Sequence, residues 1–191
     1  SGTFELLAGD IVSFVGTRKN CSRFFKAIGF DTHRVNDTMI VGGGKAAYYL
    51  ADQLLRAGIE VKIIESNLKR CEELSTLLPE AIIINGDGTD EALLREEGLE
   101  TAESFVPLTG IDEENIISSM YASSLGVSKT VAKVNRVSYE VLESIGMDSA
   151  ISSKAIAANR ILAYARAIEN SGEESSVQTL YKLVGGQIEA L

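Results

Sequence analysis

A chain of 191 residues with 45% hydrophobic side chains is long enough to bury a core of its own and still carry extra pieces. Its net charge of −9, from 27 acidic against 18 basic residues, argues against a nucleic-acid surface, which needs clustered Lys and Arg to neutralise phosphates. No apolar run approaches the ~20 residues that span a bilayer, so no direct membrane insertion is expected, and residues 1–5 have no signal-peptide character.

Taken in chain order, residues 7–34 read as a strand followed by an amphipathic helix over 18–28, with no further fold around them. Segment 1–34 is therefore expected to be the end of a preceding domain. His33 has no partner at metal-ligand spacing and reads as a linker residue. Cys21 and Cys71 stand apart, with no C-x-x-C between them, and are expected as free thiols in a reducing cytoplasm. From Thr38 onward apolar runs alternate with amphipathic patterns, the signature of βαβ units. The runs predict strands at 38–42, 59–65, 81–85, 103–109, 129–134 and 149–151. Helices are predicted at 44–57, 67–78, 89–97, 112–125, 137–145 and 153–169. The fold class is α/β: a Rossmann-like, doubly wound parallel sheet over residues 35–170, with ligands expected beyond the carboxyl ends of strands one and four.

The first strand runs into Gly42-Gly43-Gly44-Lys45-Ala46-Ala47, which fits G-x-G-x-x-G/A. Gly42 permits the tight strand-to-helix turn, Gly44 lacks the Cβ that would hold a pyrophosphate off the backbone, and Ala47 lets the helix lie close to the sheet. Phosphate would rest on the helix N-terminus formed by residues 42–46. Lys45, a cation in the first turn, is slightly unfavourable to the helix dipole and invites an anionic partner. Glu65 closes the second strand about 20 positions after Gly42, where a ribose-binding carboxylate stands in such sites. A solvated strand-end charge is the plainer alternative. A carboxylate there favours NAD(H) or an adenine nucleotide over NADP, because it repels a 2′-phosphate.

After strand three, Asn85-Gly-Asp-Gly-Thr-Asp90 forms a polar corner. Asp87 and Thr89 are expected to cap the next helix, to border the adenine end of the crevice with Gly88, or both. After strand four, Thr109 is placed for its hydroxyl to face the middle of a bound nucleotide. Asp112, Glu113 and Glu114 read as first-turn acids complementing a helix dipole. The last helix, 153–169, is too apolar for a lone surface helix: Ile156, Ile161, Leu162 and Ile168 suit one packed face, while Ala157, Ala158, Ala163 and Ala165 allow close approach of a partner helix. A polar linker follows, and from Ser176 a strand begins without partners, so 171–191 is expected to be a linker and the start of a following domain. Both ends look cut from a longer protein.

These features together resemble the RCK/KTN family, the cytoplasmic gating and regulatory domains of potassium channels and transporters. The matching residues are Ile40-Val-Gly-Gly-Gly-Lys45, Glu65, the Gly86-Asp-Gly-Thr89 corner, Thr109 in its Leu-Thr-x-x-(Asp/Glu)-Glu-Asn-Ile run, Ala132-Lys-Val-Asn135, and Ile145-Gly-Met-Asp-Ser-Ala-Ile-Ser-Ser153 before an Ala-rich helix. The flanking segments resemble fragments of the family's small C-terminal RCK subdomain. Lys45-Ala46-Ala47 departs from commoner relatives, which carry Arg and Ile, Val or Gly there, and this leaves the preferred phosphate count open. The resemblance implies a homo-oligomer, dimer or tetramer, peripheral at the inner face of the cell membrane. It also implies NAD(H) or ATP/ADP as ligand and a membrane-embedded Trk-type potassium transporter subunit as partner. An NAD-dependent oxidoreductase is the rival class, and a non-binding interaction module the remaining one. The oxidoreductase lacks support, since no Tyr-x-x-x-Lys occurs and no histidine follows the glycine motif.

Overall fold

The structure, a computed structural model, describes residues 5, 7, 16–29, 34–136, 142, 149–170, 181–183 and 188–190. The chain divides into two compact units: Arg34–Arg160, and Ser1–His33 together with Ile161–Leu191. The boundary falls inside the last helix, whereas the sequence placed that whole helix in the sheet domain.

The first unit is an α/β parallel sheet. Strand β1 (Asp37–Val41) lies at its centre, because Met39, Ile40 and Val41 are apolar on both faces and all are buried. It pairs in parallel with β2 (Glu60–Glu65) from Asp37↔Glu60 to Val41↔Ile64, and with β4 (Ser104–Pro107) from Met39↔Phe105 to Val41↔Pro107. Strand β3 (Ile82–Asn85) adds outside β2 and β5 (Lys129–Thr130) outside β4, giving the order β3-β2-β1-β4-β5. Strand order reverses at β1, so a crevice opens between the carboxyl ends of β1 and β4.

Alternation along the strands feeds two cores. Met39, Val41, Ile64 and Phe105 face Leu94, Leu99, Ala122 and Val127. Ile40, Val61, Ile63 and Val106 face Ala47, Ala51, Leu74 and Leu78. Each fully buried Ile contributes about 1.5–3 kcal/mol. Ala47 and Ala51 lie one turn apart on α2 (Lys45–Arg56), and both are completely buried, so their small side chains let α2 sit against the sheet as expected. Helices α3 (Leu68–Leu77) and α5 (Asp112–Ser124) also match their predicted positions.

Two elements differ from the sequence reading. The predicted fifth strand is split into β5 and β6 (Ala132–Lys133), and β6 pairs in parallel with β7 (Ala150–Ile151) instead of with β4. At the split the Val131 N–H still donates to the Phe105 carbonyl, at 3.0 Å, so the strand changes neighbours without breaking its ladder. Helix α4 (Glu91–Glu96) is shorter than predicted and is capped by Asp90, whose carboxylate accepts from the Ala92 and Leu93 N–H groups. Asp87 and Thr89 do not cap it. The helix predicted at 137–145 lies outside the described residues apart from Leu142, which is buried with Ala132 and Val134.

In the second unit, α1 (Arg18–Ala27) forms where an amphipathic helix is predicted, with Thr17 accepting from the Asn20 N–H as its cap. The chain from Ser176 is not a single unpaired strand: β8 (Tyr181–Leu183) and β9 (Ile188–Ala190) pair antiparallel, Tyr181↔Ala190 to Leu183↔Ile188. The strand predicted from residue 7 lies, beyond Leu7 itself, outside the described residues, as does His33. Helix α6 (Ser153–Asn170) begins in the first unit and is long, as predicted. No helix among the described residues is long and apolar enough to cross a membrane.

Candidate functional site

At the carboxyl ends of β1, β2 and β4 lies a cavity of about 440 Å³, a size suited to a small organic ligand. Of the residues singled out in the sequence, Gly42, Gly43, Gly44, Glu65, Asp87, Gly88, Thr89, Thr109 and the first-turn acid Glu114 line it. Lys45 and Ala46 are exposed on the first turn of α2 and are not among its lining residues. Lys133, which the sequence reading did not single out as a site residue, is.

The glycines divide the work between them. Gly42 has φ +92°, a left-handed conformation that side chains resist, and its missing Cβ leaves room for the Leu108 carbonyl and the Thr109 N–H. At Gly43 a Cβ would meet Leu74 Cδ1 at 2.6 Å and Glu65 Oε2 at 2.9 Å. A Cβ on Gly44 would meet no protein atom within 4 Å, although Gly44 lines the cavity. Helices α1, α3 and α4 have side-chain caps, while α2, which begins at Gly44, and α5, which begins after Ile111, have none. The first N–H groups of α2 lack an intrahelical partner and carry the positive end of the helix dipole. That is a cradle for an anion.

Glu65 stands beside this turn with both oxygens anchored on main chain. Oε2 accepts from the Gly43 N–H at 2.6 Å and Oε1 from the Asn67 N–H at 2.7 Å. Arg70 holds Gly43 from behind, its Nε donating to the Gly43 carbonyl at 2.7 Å while its guanidinium pairs with Glu73. Oε1 also accepts from the Ser66 hydroxyl at 3.5 Å, while Oε2 has the Gly43 N–H as its one partner and keeps further acceptor capacity for a ribose hydroxyl.

On the far wall Asp87 forms a turn instead of a helix cap. Its carboxylate accepts from the Thr89 N–H at 2.9 Å and the Thr89 hydroxyl at 2.8 Å. These bonds, the main-chain one first, hold the Asp87 carboxyl below its ordinary range. Gly88 brings this corner onto β1: an added Cβ would lie 2.1 Å from Val41 Cγ1.

Thr109 differs from expectation. Its hydroxyl donates to Asn115 Oδ1 at 2.9 Å and so turns toward α5 instead of standing free in the crevice. Asn115 is completely buried and Asp112 nearly so. Asp112 is a first-turn acid, as predicted, and it also accepts from the Asn135 and Arg136 N–H groups at 2.7 and 2.6 Å, tying α5 to the end of β6. Lys133 donates through Nζ to the Leu108 carbonyl at 3.1 Å. The available signal for Lys133 was a lysine inside the otherwise apolar Val131-Ala-Lys-Val134.

A larger depression, about 520 Å³, lies at the opposite end of the sheet, lined by Asp37, Glu60, Glu80, Ile82 and the Lys62–Glu97 ion pair among others. Lys62, the one cation among its lining residues, is already engaged by the Glu97 carboxylate and carbonyl. The depression lacks the glycine turn and uncapped helix start that line the smaller crevice, which is therefore the better candidate for an anion.

The family model of the TrkA-N domain matches residues 38–153. The Trk system potassium uptake protein TrkA of Halomonas elongata is 31% identical over 191 residues, covering 100% of this chain and 41% of that protein. The trkA homolog 1 of Methanosarcina mazei is 32% identical over 157 residues, 81% of this chain and 39% of that protein. The chain thus spans about two fifths of the length of these curated relatives. Among solved structures, the GsuK channel bound to NAD superposes with a TM-score of 0.60 at 21% identity, covering 73% of this chain and 25% of that one. The AMP-bound Kef C-terminal domain of Shewanella denitrificans gives 0.59 at 17% identity, covering 74% and 84%. Both share this fold.

Proposed function

The chain belongs to the TrkA-N domain family, and from that premise we propose that it is a nucleotide-binding regulatory segment of a potassium uptake system. The observation that carries the reading is the uncapped start of α2 opening onto a crevice beside Glu65, a carboxylate fixed by two main-chain N–H groups. The names of its relatives support the transport system, and the NAD and AMP held by two proteins of the same fold support the ligand class.

In this reading the phosphates of NAD(H) or of ATP/ADP rest on the main chain of residues 42–46, with Lys45 and Ala46 offering N–H groups from the first helical turn. Glu65 accepts from the ribose hydroxyls. The adenine lies against the corner of Asp87, Gly88 and Thr89, and Lys133 supplies the positive charge on the Thr109 side. NAD, when bound, would serve here as a ligand whose occupancy is sensed. No catalytic residue is assigned.

Regulation follows from unequal affinity. A nucleotide that prefers one assembly state about 100-fold supplies about 2.7 kcal/mol per site toward it, and none if it binds both states alike. The assembly would be a homo-oligomer, and the responding partner a membrane-embedded Trk-type transporter subunit at the inner face of the membrane. Exposed apolar residues on α6 support a second copy, since Ile161 is 68% exposed in the single chain. A thermal-shift screen against NAD, NADH, ATP and ADP tests the binding step. A rise in melting temperature with at least one of them is expected, with NADH absorbance constant over time; no rise with any of the four overturns the reading.

A further inference from the structure

We propose that Asn115 is the positioning residue that carries occupancy of the crevice to the β6–β7 strand pair and thence to the start of α6; this rests on the nucleotide reading of the crevice.

The Asn115 amide uses all of its hydrogen-bonding positions. Oδ1 accepts from the Thr109 N–H and the Thr109 hydroxyl, both at 2.9 Å. Nδ2 donates to the Thr109 carbonyl at 3.3 Å and to the Lys133 carbonyl at 2.9 Å. Both main-chain groups of Thr109 are thus met by one buried side chain, which takes the place of a neighbouring strand where β4 has ended at Pro107. The fourth bond reaches into β6. Lys133 answers in the other direction, its Nζ donating to the Leu108 carbonyl, so residues 108–109 and Lys133 are joined both ways.

Each end of this knot meets something that matters. On one side the Thr109 N–H lies 3.2 Å from where a Gly42 Cβ would be, so the loop abuts the phosphate turn. On the other, the Ala132 N–H donates to the Ser149 carbonyl at 3.0 Å and the Val134 N–H to the Ile151 carbonyl at 2.9 Å. The Ser152 hydroxyl then accepts from the Ala155 N–H at the start of α6. A phosphate in the crevice offers Lys133 a charged acceptor, stronger than the Leu108 carbonyl. It therefore acts on both elements that Asn115 joins.

Hydrogen–deuterium exchange on the 191-residue chain, free and saturated with NAD or with ATP, tests this. In the unmodified chain, nucleotide is expected to slow exchange at residues 132–136 and 149–151 by about fivefold or more. In Asn115→Ala that slowing is expected to drop below about twofold while nucleotide still binds. A purely structural role would raise exchange equally in free and bound forms and leave their ratio unchanged. Should Asn115→Ala fail to fold, Thr109→Val, which removes the hydroxyl that meets Asn115 Oδ1 and accepts from the Ile111 N–H but leaves the other three Asn115 bonds, decides: slowing equal to the unmodified chain overturns the proposal, and reduced slowing supports it. No slowing in the unmodified chain, or full slowing in Asn115→Ala, also overturns it. Binding of neither NAD nor ATP removes the underlying reading as well, whereas binding without the difference removes only the role of Asn115.

Discussion

The Glu65 carboxylate accepts the Gly43 N–H at 2.6 Å, so the end of the second strand and the phosphate turn behave as one unit. Residues that the sequence offers separately, a glycine run and an acid about 20 positions later, hold each other in place before any ligand arrives.

Glu65→Ala removes the acceptor of two main-chain N–H groups and of the ribose. NAD affinity is expected to fall about tenfold or more, and stability by about 1–2 kcal/mol, read by calorimetry and urea denaturation. In the unmodified chain NADP is expected to bind at least about tenfold more weakly than NAD. Equal affinity for the two, or an Ala variant that binds NAD undiminished, contradicts the ribose role.

Gly88→Ala drives a methyl group to 2.1 Å from Val41 Cγ1, and Val41 is buried in the core. Overpacking of this kind costs about 1–3 kcal/mol. Gly110→Ala meets nothing within 4 Å and is expected to stay within about 0.5 kcal/mol of the unmodified chain. Equal midpoints for the two variants in chemical denaturation would show that the corner is not seated on β1 as described.

Cys71, on α3, is buried and Cys21 is half-buried, and neither is in a disulfide. Burial, the leading cause, pushes the Cys71 thiol above its ordinary value, so at neutral pH less of it is thiolate. Ellman's reagent is expected to label Cys21 about tenfold faster or more in the native chain, and the two at similar rates in denaturant. Faster native labelling of Cys71 contradicts this packing.

Ile156, Ile161, Leu162 and Tyr164 of α6 are all exposed in the single chain. Light scattering is expected to give a dimer or larger, and Ile161→Asp to shift it toward monomer. A clean monomer of the unmodified chain across the micromolar range removes the partner-helix reading.

What was legible in the sequence was what local spacing encodes. Gly42, Ala47 and Glu65 declare themselves because a tight turn, a close helix and a strand-end acid each need a residue type at a set distance along the chain. Gly43 was expected in the phosphate cradle with no packing constraint of its own. Its constraint comes from Leu74 and Glu65, which meet it only in three dimensions. Asp87, Thr89 and Asp90 are all competent caps, and only backbone geometry selects Asp90. Strand five reads as one apolar run because the hydrophobic pattern records burial and not which neighbour supplies the hydrogen bonds. For the same reason the Leu-Thr-x-x-(Asp/Glu)-Glu-Asn-Ile run gave Asn115 no role of its own, although it is completely buried and saturated with bonds.

The most direct measurement is isothermal titration of the 191-residue chain with NAD, NADH, ATP and ADP, beside a Gly44→Asp control. Gly44 has φ −66° and open space at its Cβ, so aspartate fits the backbone and can itself cap α2. The expected result is micromolar binding of at least one nucleotide, weakened about 100-fold or more in Gly44→Asp, whose melting temperature stays within about 2 °C of the unmodified chain. Heats indistinguishable from dilution for all four ligands, or a Gly44→Asp chain that binds as tightly as the original, would contradict a nucleotide cradle at the start of α2.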